Sequence, residues 1–148
     1  MKKFIIGLLF SIMVMGTAHA HVTNFSHVEY VNAYDGDTII VNIPGVPEIF
    51  GRLMTVKLRA INAPEIKGRC ADERYLAVRA RNWIRSRLQA AQVIELHELE
   101  RDRFFRLVAD VKLDGEDLSI MMMERGYAVR HTEGPKPSPW CEVDRIDP

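Results

Sequence analysis

The sequence predicts an α+β fold of mainly β character: a partly open five-stranded barrel with two or three helices packed on it. Three observations carry this. Five short runs rich in β-branched and aliphatic residues are set off by turn residues, a long helical period stands between the third and the fourth, and a short helical stretch follows the fifth. Of the 148 residues, the 128 that follow the first 20 suffice for a single hydrophobic core, with no internal repeat or low-complexity tract.

The elements follow in order. Residues 28–33 and 38–43 are two strands joined by Tyr34-Asp35-Gly36-Asp37, a tight turn, and Pro44-Gly45-Val46-Pro47 stops the second. Residues 53–61 form a third strand, in which Val56, Leu58 and Ala60 alternate with Lys57, Arg59 and Ile61. Asn62-Ala63-Pro64-Glu65 ends it, because a residue before proline favours extended backbone. Residues 72–88 are helical, with Leu76, Ala80, Trp83, Ile84 and Leu88 on one face. Arg74, Arg81 and Arg85 fall opposite and read as a solvated face rather than a nucleic-acid stripe, while Arg87, near the apolar side, snorkels. Residues 93–96 and 107–113 are strands four and five, followed by the Asp114-Gly115 turn. Residues 117–125 form a second, short helix stopped by Gly126, and its SIMMM run reads as core. The OB-fold is one barrel of this kind.

The first 20 residues read differently. Lys2 and Lys3 precede an apolar stretch over residues 4–15, and Ala18-His19-Ala20 is an A-x-A cleavage site. This is a signal peptide over residues 1–20, its apolar run short for a bilayer span, which leaves one domain over residues 21–148. The expectation is a monomer, periplasmic or secreted, with no membrane insertion after cleavage. Removing Lys2 and Lys3 leaves 18 basic residues against 20 acidic ones, so any nucleic-acid surface has to be local. In an oxidising compartment Cys70 and Cys141 permit one bridge that pins the Pro-rich tail, worth roughly 4 kcal/mol on the chain-entropy view. The alternative is two buried thiols.

Four stretches combine carboxylates with cations: YDGDT (34–38), VKLRAINAPE (56–65), ERDRFFR (100–106) and the LVADV strand after it. Calcium takes carboxylate and carbonyl oxygens, a lone glutamate deprotonates water, and arginine neutralises charge on a phosphoryl group. Singly, none is specific: D-G-D between strands is usually a turn and R-D-R usually solvated charge.

In this order and spacing the set resembles the thermonuclease family, the staphylococcal-nuclease-like enzymes. That signature is DGDT before a strand, then L-x-x-I-x-A-P-E, then D-x-[YF]-x-R before a strand, and the resemblance spans about residues 28–131. Cys70, Phe104-Phe105-Arg106 and Trp140-Cys141 resemble an exported bacterial branch. The resemblance implies an OB-fold and calcium-dependent cleavage of DNA and RNA phosphodiesters to 3′-phosphates. It assigns Asp37 to calcium, Glu65 to positioning or deprotonating the attacking water, and Arg106 to the phosphate, with Asp35 left as a turn residue.

Three positions depart from the pattern. Lys57, eight residues before Glu65, stands where the family has its first phosphate-binding arginine; Asn62 replaces the second calcium aspartate; and Ala63 replaces a threonine that offers only its carbonyl. Arg59 shares a strand face with Lys57 and is a candidate substitute. The implied protein is a slow nuclease that needs high calcium and acts on single-stranded DNA or RNA. The competing readings are a non-catalytic OB module that binds single strands or another polyanion, and an interaction domain with an unrelated ligand. An amino-terminal copper site at His21 has no second ligand to support it. His27, His97 and His131 lack metal-ligand spacing and read as surface residues, and no Ser-His-Asp elbow, zinc cysteine pair or P-loop is present.

Overall fold

The computed structural model describes residues 24–132 and 139–141. The expected signal peptide, His21 and most of the tail lie outside them. Strands β1 (Glu29–Ala33), β2 (Thr38–Asn42), β3 (Met54–Leu58), β5 (Ile94–Arg101) and β6 (Leu107–Leu113) form one curled sheet in the order β1-β2-β3-β6-β5. The β3–β6 pair is parallel and the other neighbours are antiparallel. Closure comes from the segment before β1. Phe25 and Leu96 exchange backbone hydrogen bonds of 2.9 and 2.8 Å, and the Val28 N–H donates to the Ile94 carbonyl at 3.0 Å. The predicted five-stranded barrel is therefore present, with a short closing seam that strand periodicity did not mark.

Inward residues alternate as a half-buried strand requires. In β6, Leu107, Ala109, Val111 and Leu113 are buried and the residues between them are half-buried. They meet Ile39, Val41, Val56, Leu58 and Leu96 in one core. Helix α2 (Ala71–Ala90) covers one side of it. Its buried stripe is Glu73, Ala77, Ala80, Ile84 and Leu88, so the expected face is rotated slightly. Leu76 and Trp83 are only half-buried, and Trp83 leans on Tyr127 with ring centroids 5.7 Å apart. Helix α3 (Leu118–Glu124) is capped by the Asp117 carboxylate at the Ile120 N–H, ends at Gly126 with φ +71°, and buries Leu118 and Met122.

The expected third strand is broken. It stops at Leu58, and Ala60 takes φ +61°, a left-handed backbone that a β-ladder cannot carry. The chain resumes as β4 (Ile61–Asn62), which pairs with β8 (Val129–Arg130) in a separate small sheet. This jog turns residues 61–65 away from the barrel wall and toward the Asp35–Asp37 turn. A one-turn helix, α1 (Glu48–Gly51), and the two-residue β7 (Glu116–Asp117) complete the order. Strand β5 runs five residues further than predicted, through an irregularity between His97 and Glu100. The arginine face of α2 is not simply solvated. Arg85 donates to the Asn32 side chain and the Ala33 carbonyl, both at 2.9 Å, and Arg74 donates to the Gly68 carbonyl at 3.0 Å.

Candidate active site

The turn between β1 and β2 can approach β4 because residue 36 is glycine. A Cβ on Gly36 would lie 2.9 Å from the Ala63 Cβ, 3.1 Å from the Ala80 Cβ and 3.2 Å from the Met122 Cε. With that space kept, Asp37 reaches across. Its Oδ2 accepts the Ala63 N–H at 3.0 Å and its Oδ1 accepts the Thr38 hydroxyl at 3.0 Å. In the β2–β3 ladder Thr38 stands opposite Lys57, which fixes the lysine beside the same carboxylate. The Lys57 ammonium donates to Asp37 Oδ2 at 2.8 Å and to the Ile61 carbonyl at 3.3 Å. Asp37 is 6% exposed, so this ion pair is largely withdrawn from water.

Asp35 forms the turn, its Oδ1 accepting the Asp37 N–H at 3.2 Å. Burial, followed by the neighbouring Asp37 charge, pushes its carboxyl up to about 6, against the opposing pull of the Asp37 N–H, the Thr38 hydroxyl and the Lys57 charge.

Lys57 and Arg106 line one open groove of about 760 Å³, along with Arg59, Arg103, Phe104 and His131. Four fixed cations and two carboxylates (Glu100 and Asp102) line it, and two further carboxylates, Asp37 and Asp110, pair with Lys57 and Arg59. Arg106 is held by Asp102, whose Oδ2 accepts its Nε at 2.8 Å and whose Oδ1 accepts the Phe104 and Arg106 N–H groups, both at 2.9 Å. Desolvation pushes the Asp102 carboxyl up, but the Arg106 N–H and guanidinium and the Phe104 N–H pull it below the usual carboxylate range. Phe104 and Phe105 stand exposed at the loop tip. Arg103 lies 4.8 Å from the Phe104 ring centroid, and Arg101 lies 4.4 Å from that of Phe105.

Three expected residues are placed differently from their assigned roles. Arg59 lines the groove, but its guanidinium pairs with Glu100 and donates to the Glu98 carbonyl, and its Nε lies 3.2 Å from Asp110. With two carboxylates on it, Arg59 ties β3 to β5 and β6 and is a poor phosphate ligand. Asn62 is buried, and its Oδ1 faces His131 Nδ1 at 3.3 Å rather than Asp37. Glu65 is exposed on the turn after β4 and is not among the residues lining the groove.

Glu73 was missed as a site-supporting residue. It is buried, and it accepts the Glu65 N–H at 3.3 Å and the Arg69 N–H at 3.0 Å. It therefore holds the segment that carries Glu65. Cys70 is the α2 N-cap, its sulfur accepting the Glu73 N–H at 3.3 Å, so Glu73 holds the third helical position, but its carboxylate accepts the Glu65 and Arg69 N–H groups. Cys70 is also bridged to Cys141, with a Cα–Cα distance of 5.8 Å.

The calcium implied at Asp37, Asn62 and Ala63 does not fit this donor set. Of these three only Asp37 brings a carboxylate, the Asn62 amide oxygen is directed at His131, and an ammonium already lies on Asp37 Oδ2. Two unit charges 4 Å apart near a protein surface interact by about 4 kcal/mol, so a divalent ion beside Lys57 meets about twice that in gross repulsion. Among the described residues, the side chains of Cys70, Glu73 and Cys141 offer three metal-ligand atoms within 4.8 Å of one another, but two of these are disulfide sulfurs. No helix among them is long and apolar enough to cross a membrane.

A family model described as Staphylococcal nuclease homologue matches residues 55–139, more than half of the chain. No curated protein matches the sequence.

Proposed function

From the premise that the chain belongs to the staphylococcal nuclease homologue family, we propose that it hydrolyses phosphodiesters of single-stranded DNA or RNA, slowly, in the groove lined by Lys57 and Arg106. The single observation that carries this reading is that Lys57, Arg103 and Arg106 line one open groove, with the Arg106 guanidinium held in place by Asp102. Arg106 is oriented by Asp102, which suits a guanidinium that must meet a phosphate in a fixed attitude. Glu65 is proposed as the base on the resemblance alone, four residues past the groove-lining Ile61. Water adds to phosphorus and gives its proton to the Glu65 carboxylate as the bond to the 5′-oxygen breaks; that oxygen takes a proton from solvent and a 3′-phosphate remains. Lys57 and Arg106 offset charge developing on the phosphoryl oxygens. Calcium is the family's usual ion, but the Asp37 donor set does not fit it, and no step here runs through a metal. Exposed Phe104 and Phe105 offer stacking faces to unpaired bases.

The same features favour a second reading, a module that binds single strands without cleaving them. Asn62 in place of a carboxylate is the specific observation for it. Incubating the purified chain with single-stranded DNA separates the two. The nuclease reading expects cleavage that Glu65→Gln and Arg106→Ala each slow by about 100-fold, the scale of a general base or a charge-stabilising group. Binding without cleavage leaves the module. For the chain's processing we propose export with removal of residues 1–20, supported by the A-x-A site and compatible with the disulfide. Mass spectrometry of the protein from its host should show His21 first, and a retained Met1 overturns it.

A further inference from the structure

We infer that the Lys57 ammonium is the resident cation of this site, standing in the position a divalent ion would take, and that the chain binds phosphodiesters without such an ion. The binding clause rests on the proposed function; the cation clause does not. Lys57 is fixed from both directions. Its backbone lies between β2 and β6, opposite Thr38 on one side and Val108 on the other. Its ammonium touches two oxygens from different segments, Asp37 Oδ2 at 2.8 Å and the Ile61 carbonyl at 3.3 Å. Carboxylate and backbone carbonyl oxygens are the kinds of donor that a hard metal ion takes. A lysine ends in a compact point charge that can rest on both oxygens.

The remaining substitution agrees. Lys57 offsets the Asp37 charge, and with Asp35 already beside that pair a further carboxylate at position 62 would add to the site's negative charge. Asn62 carries no charge, and its oxygen is directed to His131 instead. The two departures act on the same site: Lys57 keeps the charge of the family's arginine but ends in an ammonium that rests on Asp37, and Asn62 removes an anion that a divalent ion would have balanced. The Lys57 side chain keeps 22% exposure and lines the groove beside Arg106, so a phosphate bound there meets two protein cations. Because the cation is covalently part of the chain, chelators cannot remove it.

The test needs no knowledge of the natural substrate. Thermal unfolding of the parent chain is measured in chelator and in about 10 mM calcium, well above the millimolar dissociation constants of weak extracellular sites. The melting temperature should not move, and a rise of several degrees overturns the proposal. Binding of a labelled single strand of about twelve thymidines is followed by anisotropy in the same two buffers. Its dissociation constant should agree within about twofold between them and weaken on the order of tenfold in Lys57→Met. A tenfold tightening of the parent by calcium overturns the inference. The double variant Lys57→Met, Asn62→Asp should gain a calcium-dependent rise in melting temperature that the parent lacks. A folded double variant indifferent to calcium counts against Lys57 as the occupant of a metal's place. If the variants do not fold, the parent's two calcium responses decide. If the parent binds no oligonucleotide in either buffer, the proposed function fails, while its melting temperature in calcium still judges Lys57.

Discussion

Removing the Lys57 ammonium while leaving Asp37 charged tests how the site is held together. Lys57→Met keeps the length of the apolar stem and deletes the charge. Asp37 then sits 6% exposed with the Thr38 hydroxyl and the Ala63 N–H on its oxygens but without its cation. Breaking a buried pair from one side typically costs 3–5 kcal/mol. The surviving hydrogen bonds and a lysine that is 22% exposed put this case at the lower end, about 3 kcal/mol. For roughly 110 ordered residues at about 2.1 cal/mol/K each, the unfolding entropy is about 0.23 kcal/mol/K, so the expected loss is about 13 °C in melting temperature. Asp37→Asn combined with Lys57→Met removes both charges and should recover most of it, leaving a coupling of about 2 kcal/mol in the double-mutant cycle. Urea and thermal unfolding of the parent, both single variants and the double variant measure all of this. A Lys57→Met loss below about 1 kcal/mol, or effects that simply add, would refute the view that the pair is a coupled, withdrawn unit.

Three further outcomes are expected. Asp35, raised to about 6 by burial and by Asp37, holds a proton more tightly folded than unfolded, so its charge destabilises the fold above about pH 6. Asp35→Asn should therefore raise the melting temperature at pH 7.5 and give no gain near pH 4; a gain independent of pH contradicts the assignment. Gly68→Ala should loosen the segment carrying Glu65, because its Cβ would fall 2.5 Å from the Glu73 Cδ and 2.8 Å from the Glu65 carbonyl oxygen. A loss of 1–3 kcal/mol, typical of overpacking, with faster amide exchange at Glu65 and Arg69, is expected, and unchanged exchange rules it out. Reducing the Cys70–Cys141 bridge, which spans 71 residues, should lower stability by at most about 4 kcal/mol, read as a lower urea midpoint in reductant; equal midpoints would show that the bridge contributes nothing.

What the sequence determined by itself is what repeats at short range. The alternation of Leu107, Ala109, Val111 and Leu113 announces a strand, and the helical period after Cys70 announces α2, because side chains two or about four residues apart must share a face. The DGDT, A-P-E and D-x-[YF]-x-R spacings likewise marked which segments carry the chemistry. Tertiary structure decided which partner each charged group finds. Arg59 looked available from its strand, but Glu100 and Asp110, 41 and 51 residues further on, converge on it across β5 and β6. Lys57, expected at a phosphate, is also set on Asp37 by the β2–β3 register, and Glu73 gains its role only where the segment carrying Glu65 folds over it. Periodicity says which face a side chain takes. It carries no information about which distant charge crosses that face, and an ammonium can serve a buried carboxylate, a phosphate or water depending on what chain closure brings within about 3 Å.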